Sequence, residues 1–268
     1  MKSQMAIKEF AKFSGVSPTT LRYWDEIGLF SPGYRDTSNN YRYYTPDQII
    51  ALDFIKVLSQ VGTPLKTIKD MANDRSPETT LGLINQQERR LDRKMRELVE
   101  THSIIHTRRE LISQGLLAEE KGLGITTMEL GETLFALGPR NQPRDSGSFY
   151  ESFAEFCDHA NHAQINLNLP IGGRYDNIGS FTETPLVPDH YYVLDPAGGQ
   201  KRPAGRYLVG WQRGYYGDFG NFPERLAKYI KEYELSPTGP LYVIYALDET
   251  CINDPKNYLA QICVRLPD

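Results

Sequence analysis

The chain has 268 residues, with 30 Lys and Arg against 34 Asp and Glu and a formal net charge of −4 at pH 7. Its 40% hydrophobic and 11% aromatic content excludes a globally disordered chain, and its length predicts about two domains. No apolar run approaches the ~18 residues of a membrane span, and the N-terminal segment lacks an export-signal pattern. We expect a cytoplasmic protein with no membrane partner.

The cysteine and histidine content argues against a metal or a cofactor. Cys157, Cys251 and Cys263 are odd in number and form no CxxC pair, so they favour structural thiols in a reducing compartment. His102 and His106 are one helical turn apart but have no cysteine or carboxylate ligand close by. We predict no metal and no cofactor, with a metal-responsive protein using these two histidines as an alternative.

Charge is distributed unevenly along the chain. Residues 1–75 carry ten Lys/Arg against eight Asp/Glu (+2), residues 76–122 carry eight of each (0), and residues 123–268 carry twelve against eighteen (−6). A weakly basic head, a neutral middle and an acidic remainder indicate three parts. The head charge alone is too small to establish nucleic-acid binding.

Residues 5–27 have the pattern of two short helices joined by a glycine turn. Met5 to Phe13 is predicted as the first helix, and Ser17 as the cap of a second helix that begins at Pro18. This is typical of a helix-turn-helix, whose second helix enters the major groove, although an ordinary helical hairpin is the alternative. The side chains suited to phosphates and base edges there are Ser17, Thr19, Thr20, Arg22 and Tyr23.

A wing and two further helices are predicted after this unit. Turn formers between two short β-prone runs indicate a hairpin over residues 30–45, and its returning strand offers Tyr41, Arg42 and Tyr43 to phosphates and the minor groove. A helix follows from residue 45, and a shorter one runs from residue 64 to 71. We predict Thr63 as the cap of the shorter helix and place it, with the exposed Lys66, among the DNA-binding candidates, because a helix N-terminus can hold a phosphate.

The segment Ser76–Leu117 is predicted as one helix with Ser76 as its cap and Pro77 at its first position. Counted by alternating threes and fours from Leu81 to Leu116, eight of eleven positions are apolar, which is the narrow seam of a coiled coil. At about 1.5 Å per residue the helix is roughly 60 Å long. We predict a second helix as its partner, with an amphipathic helix packed on its own domain as the alternative.

Several short motifs in residues 5–75 resemble the MerR family of transcription regulators. They are Gly15-Val16-Ser17, Leu21-Arg22-Tyr23-Trp24-Asp25, Gly28-Leu29, Tyr41-Arg42-Tyr43-Tyr44, and Gly62 followed by a short helix. The resemblance implies a winged helix-turn-helix DNA-binding domain over residues 1–75 and a homodimer formed by an antiparallel coiled coil of the long helix, residues 76–120. It also implies that the dimer binds a palindromic promoter with an overlong spacer and, on activation, bends and untwists it for RNA polymerase.

Beyond Gly122 the periodicity changes to that of strands. Strands are predicted within residues 126–137, 166–181, 190–194, 206–212, 241–247 and 258–266, and helices over 146–159 and 222–235. The order strand–helix–strand–strand occurs twice, which predicts an α+β chain ending in a duplicated βαββ unit, with one antiparallel sheet, helices on one face and a cleft between the halves.

This order, with Gly205-Arg206-Tyr207 before a strand, resembles the GyrI-like effector-binding domain over residues 121–268. Joined to a MerR-type head, it is similar to regulators of multidrug efflux, which recognise bulky lipophilic cations. Aromatic faces attract such cations by about 0.5–2 kcal/mol each, although a place in the core is the alternative for every ring. The candidate ligand-binding residues are Phe149, Tyr150, Phe181, Tyr192, Tyr207, Trp211, Val243, Tyr245, Tyr258 and Gln261.

One difference from the drug-binding relatives concerns charge. Those domains carry a buried glutamate, and often a second acid, on the strands where this chain has Val243 and Gln261. The rings would then hold a cation with help from acids such as Glu183, Asp189 or Asp248, and a neutral aromatic ligand is the alternative. No Ser/Cys–His–Asp pattern is present, so we predict no catalytic residue and keep a small-molecule hydrolase as the alternative function.

Overall fold

The structure is a computed structural model that comprises residues 4–74, 76–141 and 149–267. The chain divides into two compact units, Met1–Leu98 and Val99–Asp268. Within the described residues the first unit contains short helices and a three-stranded sheet, and the second contains an eight-stranded antiparallel sheet. The predicted α+β class is confirmed. No helix within these ranges is long and apolar enough to cross a membrane.

The first unit is built around a small sheet whose central strand is the returning strand of the wing. Its elements are β1 Met5–Ala6, α1 Ile7–Ser14, α2 Pro18–Glu26, β2 Tyr34–Arg35, β3 Arg42–Tyr44, α3 Gln48–Gln60, α4 Leu65–Asn73 and the first part of α5 Pro77–Lys121. Strands β1 and β2 pair antiparallel on either side of β3. The predicted first helix therefore begins later than expected, because Met5 pairs with Tyr44 instead of joining α1.

A left-handed glycine makes the turn of the helix-turn-helix. Gly15 has a φ of 69°, and its amide donates to the Ala11 carbonyl at the end of α1, a conformation that glycine adopts without steric cost. Phe10, Leu21 and Trp24 are buried in the core shared by α1 and α2. The predicted helix-turn-helix is confirmed.

Helix α5 has 45 residues, which at about 1.5 Å per residue gives a length of roughly 68 Å. It begins as predicted, because the Ser76 Oγ accepts the Thr79 amide at 3.0 Å and Pro77 is the first helical residue. In the first unit the apolar seam of this helix is exposed to solvent. The exposed seam residues there are Leu81, Ile84, Leu91, Met95 and Leu98.

The second unit is a duplicated βαββ arrangement. Its elements after α5 are β4 Ile125–Leu130, β5 Thr133–Arg140, α6 Phe149–Ala163, β6 Ile171–Tyr175, α7 Ile178–Glu183, β7 His190–Val193, β8 Gln200–Arg202, β9 Gly205–Arg213, α8 Phe222–Glu232, β10 Thr238–Leu247 and β11 Leu259–Arg265. The sheet order is β4-β9-β11-β10-β6-β7-β5-β8, with every pair antiparallel. The series β5-α6-β6-β7 recurs as β9-α8-β10-β11, and β6 pairs with β10 at the junction, so the predicted duplication is confirmed.

Two predicted strands need correction. The segment 126–137 contains two strands, because β4 ends at Leu130 and β5 begins at Thr133. The segment 166–181 contains β6 followed by helix α7. The Asn177 side chain accepts the Ser180 amide at 3.0 Å and caps α7, a local signal that starts a helix whatever the β propensity around it. Of the predicted helix 146–159, residues 146–148 lie outside the described residues.

The eight-stranded sheet buries a core on each face. On one face Leu208, Val243 and Ile262 belong to a cluster that includes residues of α7 and α8. On the other face Val209 and Trp211 pack in a cluster that includes Ala118 of α5. Because successive side chains of a strand point to opposite faces, neighbouring residues of β9 and β10 belong to different cores.

Helix α5 approaches β10 most closely at Gly115. A Cβ atom built there would lie 2.9 Å from Cγ of Leu247 and 3.3 Å from Cβ of Ala246, whereas a Cβ on Gly82 of the same helix would meet no atom within 4 Å. Helical glycine itself costs about 1 kcal/mol relative to alanine. Close packing against β10 therefore accounts for a glycine at position 115 but not at position 82.

We predict that Gly115→Ala lowers the free energy of unfolding by about 1–2 kcal/mol, because overpacking against the buried Leu247 outweighs the gain in helix propensity. Gly82→Ala, the matched control, is expected to raise it by up to about 1 kcal/mol. Thermal unfolding of the full chain measures both. A stabilising Gly115→Ala change would contradict the close approach of α5 to the sheet.

Candidate functional site

Helix α2 presents its polar side chains away from the core of the first unit. Leu21 and Trp24 are buried, whereas Thr19, Arg22 and Tyr23 are exposed. The predicted cap is observed: the Ser17 Oγ accepts the Thr20 amide at 3.0 Å and lies 2.8 Å from the Thr20 hydroxyl. Helix α2 thus offers an exposed hydroxyl, a phenol and a guanidinium, with two further hydroxyls engaged at its N-terminus.

The wing is fastened to α2 through the carboxylate of Asp25. Its Oδ2 atom accepts Arg35 Nη2 at 2.5 Å and Arg42 Nε at 2.6 Å, and the Asp25 side chain is 5% exposed. Burial raises the pKa of Asp25, but the hydrogen bonds and charges of Arg42 and Arg35 outweigh it and hold the pKa below its ordinary value of 3.8. Arg42 is therefore a partner of Asp25 as well as a DNA-binding candidate.

The tyrosines of the wing lie on its two sides. Tyr41 and Tyr43 have ring centroids 5.5 Å apart, and Tyr34 lies 6.0 Å from Tyr43. Tyr41 is exposed and Tyr43 is half-buried. Tyr44 faces the core and stacks on Phe10 at 4.6 Å. Tyr41 and Tyr43 therefore lie away from the side of the wing that Tyr44 buries.

The prediction that Thr63 caps the short helix is wrong. Pro64 is the N-cap of α4, and no side chain caps that end. Thr63 is 4% exposed, its amide donates to the Leu58 carbonyl, and its hydroxyl oxygen has no hydrogen-bond partner among the described residues. Because this hydroxyl is buried, it cannot contact DNA directly in this structure. Lys66 is exposed as predicted.

A cavity of about 410 Å³ lies in the second unit, on the sheet face covered by α6, α7 and α8. It is lined mainly by rings. Phe149 stacks on Phe153 at 5.7 Å and on Tyr216 at 5.7 Å with nearly parallel planes, and Tyr216 meets Tyr245 edge-on at 4.6 Å. Tyr191 completes this wall from β7. The cavity is large enough for a drug-sized aromatic molecule.

Hydrogen bonds fix the tyrosines around the cavity. The Tyr150 and Tyr215 hydroxyls lie 3.0 Å apart, and this hydrogen bond, together with burial, raises the pKa of Tyr215 to about 12. Tyr245 donates its hydroxyl to the Tyr215 carbonyl at 2.9 Å and accepts the Gly217 amide at 3.1 Å. Burial raises the pKa of Tyr191 to about 12. The phenols of Tyr191 and Tyr215 therefore line the cavity as neutral, hydrogen-bonding and polarizable groups.

Two carboxylates that line the cavity have different partners. Asp248 accepts Arg108 Nη1 of α5 at 2.8 Å. Glu249 accepts the hydroxyl of Tyr216, and burial, followed by this hydrogen bond, raises the pKa of Tyr216 well above its ordinary value. The Glu249 carboxylate therefore lies beside the stacked rings of Tyr216 and Phe149.

The structure brings together four of the ten predicted ligand residues: Phe149, Tyr150, Val243 and Tyr245 line the cavity. Tyr258 contacts the rings of Tyr215 and Tyr216 at 6.1 and 5.5 Å but does not line it. Phe181 is fully buried in the core beneath α7 and α8. The other four lie on the opposite face of the sheet and are Tyr192, Tyr207, Trp211 and Gln261.

Strand register explains this division. Gln261 pairs directly with Trp211 and with Ile244, so its side chain shares their face. Val243 pairs with Ile262 on the cavity face. On the opposite face Tyr192 and Gln261 line a smaller cavity of about 170 Å³ beside α5.

The cavity residues that sequence reasoning missed include Arg108, Tyr191, Tyr215, Tyr216 and Glu249. Of the three acids named in advance, Asp248 lines the cavity, whereas Glu183 and Asp189 do not. A usable signal existed for Glu249, because it follows the last residues of a buried strand, where a polar side chain reaches the sheet edge. No sequence pattern pointed to Arg108, because its position in the heptad repeat does not reveal that its side chain contacts a residue next to the sheet.

The described residues contain no group of three or more His, Cys, Asp and Glu side chains that could hold a metal ion. His102 and His106 have ring centroids 6.2 Å apart on α5. Burial raises the pKa of the Cys157 and Cys263 thiols, which is the opposite of the activation that a nucleophilic thiol requires.

Comparison with known proteins gives matches to the head and to the whole chain. The family model described as "MerR HTH family regulatory protein" matches residues 5–74. The "Multidrug-efflux transporter 2 regulator" of Bacillus subtilis (strain 168) is 26% identical over 100% of this chain and 98% of its own length. The "Multidrug-efflux transporter 1 regulator" of the same organism is 33% identical over 59% of this chain and 58% of its own length.

Among solved structures, the "Cryo-EM structure of EcmrR-DNA complex in EcmrR-RPo" is similar to this chain. It has a TM-score of 0.40 and 18% sequence identity, and the match covers 98% of this chain and 100% of that one.

We predict that Asp25→Asn lowers the free energy of local unfolding of α2 and the wing by about 1–2 kcal/mol at pH 7. The substitution leaves Arg35 and Arg42 without the carboxylate that they share. The folded pKa of Asp25 is depressed, so this stabilisation is fully present above about pH 3.8 and is lost as the pH falls through the folded pKa. Hydrogen exchange of the α2 amides in the full chain measures it.

The matched control is Asp53→Asn, whose side chain is 56% exposed and pairs with Lys56. We expect it to change stability by less than about 0.5 kcal/mol. Equal effects of the two substitutions would show that Asp25 does not hold the wing.

Proposed function

We propose that this chain, whose residues 5–74 match the MerR helix-turn-helix family model, is a ligand-responsive transcription regulator that binds promoter DNA as a homodimer. We assign DNA binding to residues 1–75, dimerisation to residues 76–120 and effector binding to residues 121–268. Its similarity to the two multidrug-efflux regulators supports the view that the effector is a lipophilic drug-like molecule. Both relatives are named as regulators, so we assign no catalytic role.

The proposed DNA interface combines α2 with the wing. Arg22 and Tyr23 of α2 and Tyr41 of the wing are exposed, and guanidinium and phenol groups suit phosphate oxygens and base edges. Asp25 ties α2 to the wing through Arg35 and Arg42, so both elements meet the duplex as one rigid surface. In this proposal the activated dimer bends and untwists an overlong promoter spacer so that RNA polymerase engages it.

The exposed seam of α5 supports the dimer. Large apolar side chains repeat along α5 at coiled-coil spacing and remain in contact with solvent in the single chain. A soluble protein rarely leaves such a stripe uncovered. A second copy in antiparallel orientation would cover it and would present two DNA-binding heads to a palindromic site.

The effector site is the aromatic cavity of the second unit, and the observation that carries this assignment is Glu249. A carboxylate without a cationic partner among the described residues, held by Tyr216 beside stacked rings, is suited to a lipophilic cation. Each ring adds about 0.5–2 kcal/mol of cation–π attraction, and flat walls accept many shapes. In this proposal Glu249, which follows the end of β10, supplies the counter-charge for the cation.

We predict that Arg22→Ala weakens binding to a palindromic promoter fragment about tenfold and reduces the slope of log K against log salt by about one, because it removes one phosphate-type contact. Lys228→Ala, an exposed cation of α8, is the control and should change neither quantity. Fluorescence anisotropy at several salt concentrations measures both. An unchanged slope for Arg22→Ala would remove α2 from the proposed interface.

We predict that Glu249→Gln lowers the affinity for tetraphenylphosphonium about tenfold, because glutamine keeps an acceptor for Tyr216 but removes the charge. Glu183→Gln, which removes an exposed acid that does not line the cavity, should leave the affinity unchanged. Isothermal titration calorimetry of the full chain measures both. Equal losses in the two variants would indicate long-range attraction rather than a counter-charge in the cavity.

A further inference from the structure

We infer that Arg108 sets the charge of the effector: by occupying Asp248 it leaves one carboxylate available in the aromatic cavity and selects lipophilic cations that carry a single positive charge. This inference rests on the proposed function of the cavity. The charged side chains that line it, among the described residues, are Arg108, Asp248 and Glu249. Their charges of +1, −1 and −1 sum to −1, which one monocation neutralises.

Three hydrogen bonds already engage the Asp248 carboxylate. Its Oδ2 accepts Arg108 Nη1 at 2.8 Å, and its Oδ1 accepts the amide and the hydroxyl of Thr250 at 3.0 and 2.5 Å. The Asp248 side chain is 12% exposed. A cation that approached Asp248 would meet the positive charge of the Arg108 guanidinium, which already has a charge-assisted hydrogen bond to that carboxylate.

Glu249 differs from Asp248 in its hydrogen-bond partner. Its described hydrogen bond comes from the neutral Tyr216 hydroxyl, which orients the carboxylate without cancelling its charge. No Lys, Arg or His of the described residues forms an ion pair with it. Glu249 is also exposed, so a ligand can reach it from solvent. One negative charge is thus accessible beside the stacked rings.

A dication meets a different environment from a monocation. With one charge at Glu249, its second charge would share the cavity with the Arg108 guanidinium, because Arg108, Asp248 and Glu249 all line it. Like charges repel strongly in a site partly shielded from water. Without Arg108 the same two carboxylates would form a pair of anions suited to two positive charges. Arg108 therefore acts by repulsion against one ligand class as well as by neutralising Asp248.

Ethidium and propidium test this inference, because they share one aromatic core and carry one and two positive charges. Their affinities for the full chain, free of DNA, can be measured by dye fluorescence. We expect the wild-type chain to favour ethidium. We expect Arg108→Gln to raise the affinity for propidium relative to ethidium about tenfold.

Two further variants separate charge from folding. Arg108→Lys keeps the positive charge and should keep the wild-type preference. The double variant Arg108→Gln with Asp248→Asn returns the cavity to one carboxylate and should restore the ethidium preference, although it lacks the arginine. Loss of all dye binding in Arg108→Gln with recovery in the double variant would show that Arg108 only holds Asp248 in the fold, and it would overturn the charge selection.

The outcomes distinguish this inference from the function on which it rests. If the wild-type chain binds ethidium, and Arg108→Gln, the double variant and the wild-type chain share one dye preference, the role of Arg108 is wrong and the cation site stands. If neither dye binds to the wild-type chain or any variant, the cation-binding function itself fails, and the inference fails with it.

Discussion

The pairing of β6 with β10 is the constraint on which the cavity depends. This pair joins the two halves of the duplicated unit, with Gly173 opposite Val243 and Gly172 opposite Ile244. Neither glycine has room for a side chain: a Cβ on Gly173 would lie 2.9 Å from Pro188, and one on Gly172 would lie 2.4 Å from the Tyr192 ring. Both glycines line the cavity, so part of its floor is backbone without side chains. Its aromatic walls come from α6, β7 and the segments that follow β9 and β10.

The pairing of β6 with β10 also determines packing on the face of the sheet opposite the cavity. The absence of a side chain at Gly172 lets Tyr192 cross the strand and donate its hydroxyl to the Val243 carbonyl at 3.2 Å. Tyr192 packs there with Phe135 and Tyr242. A tyrosine predicted as a ligand residue is therefore a structural element beneath the cavity floor. Its buried hydroxyl satisfies a backbone carbonyl instead of meeting a ligand, as buried tyrosines generally require a partner.

Local patterns in the sequence predicted the elements, and long-range register decided the site. The seam of α5, the Ser17 and Ser76 caps and the repeated βαββ order all arise from neighbours within a few turns, so they could be predicted. Whether Trp211 and Val243 share a face depends on which residues pair across β9, β11 and β10, and a one-residue shift in register exchanges the faces. No periodicity within a single strand contains that information, which is why three of the eight predicted rings, Tyr192, Tyr207 and Trp211, lie on the opposite face of the sheet.

The contact of Arg108 with Asp248 could not be predicted from the sequence either, because 140 residues separate the two partners. Cys157 and Cys263 illustrate the converse case. Their number and spacing predicted structural thiols, and burial in the fold agrees with an inert role.

Helix α5 reconciles two interpretations that seemed exclusive from the sequence. One face, through Leu111, Gly115 and Ala118, is buried against its own sheet, as an amphipathic helix on its own domain should be. The seam lies on another face, and in the second unit Ile105 and Leu116 are 63% and 56% exposed. The first face needs residues small enough for close approach, whereas the second needs large apolar side chains that a partner can cover. Because the two sets are offset around the helix, packing on the sheet leaves the seam available for a second copy.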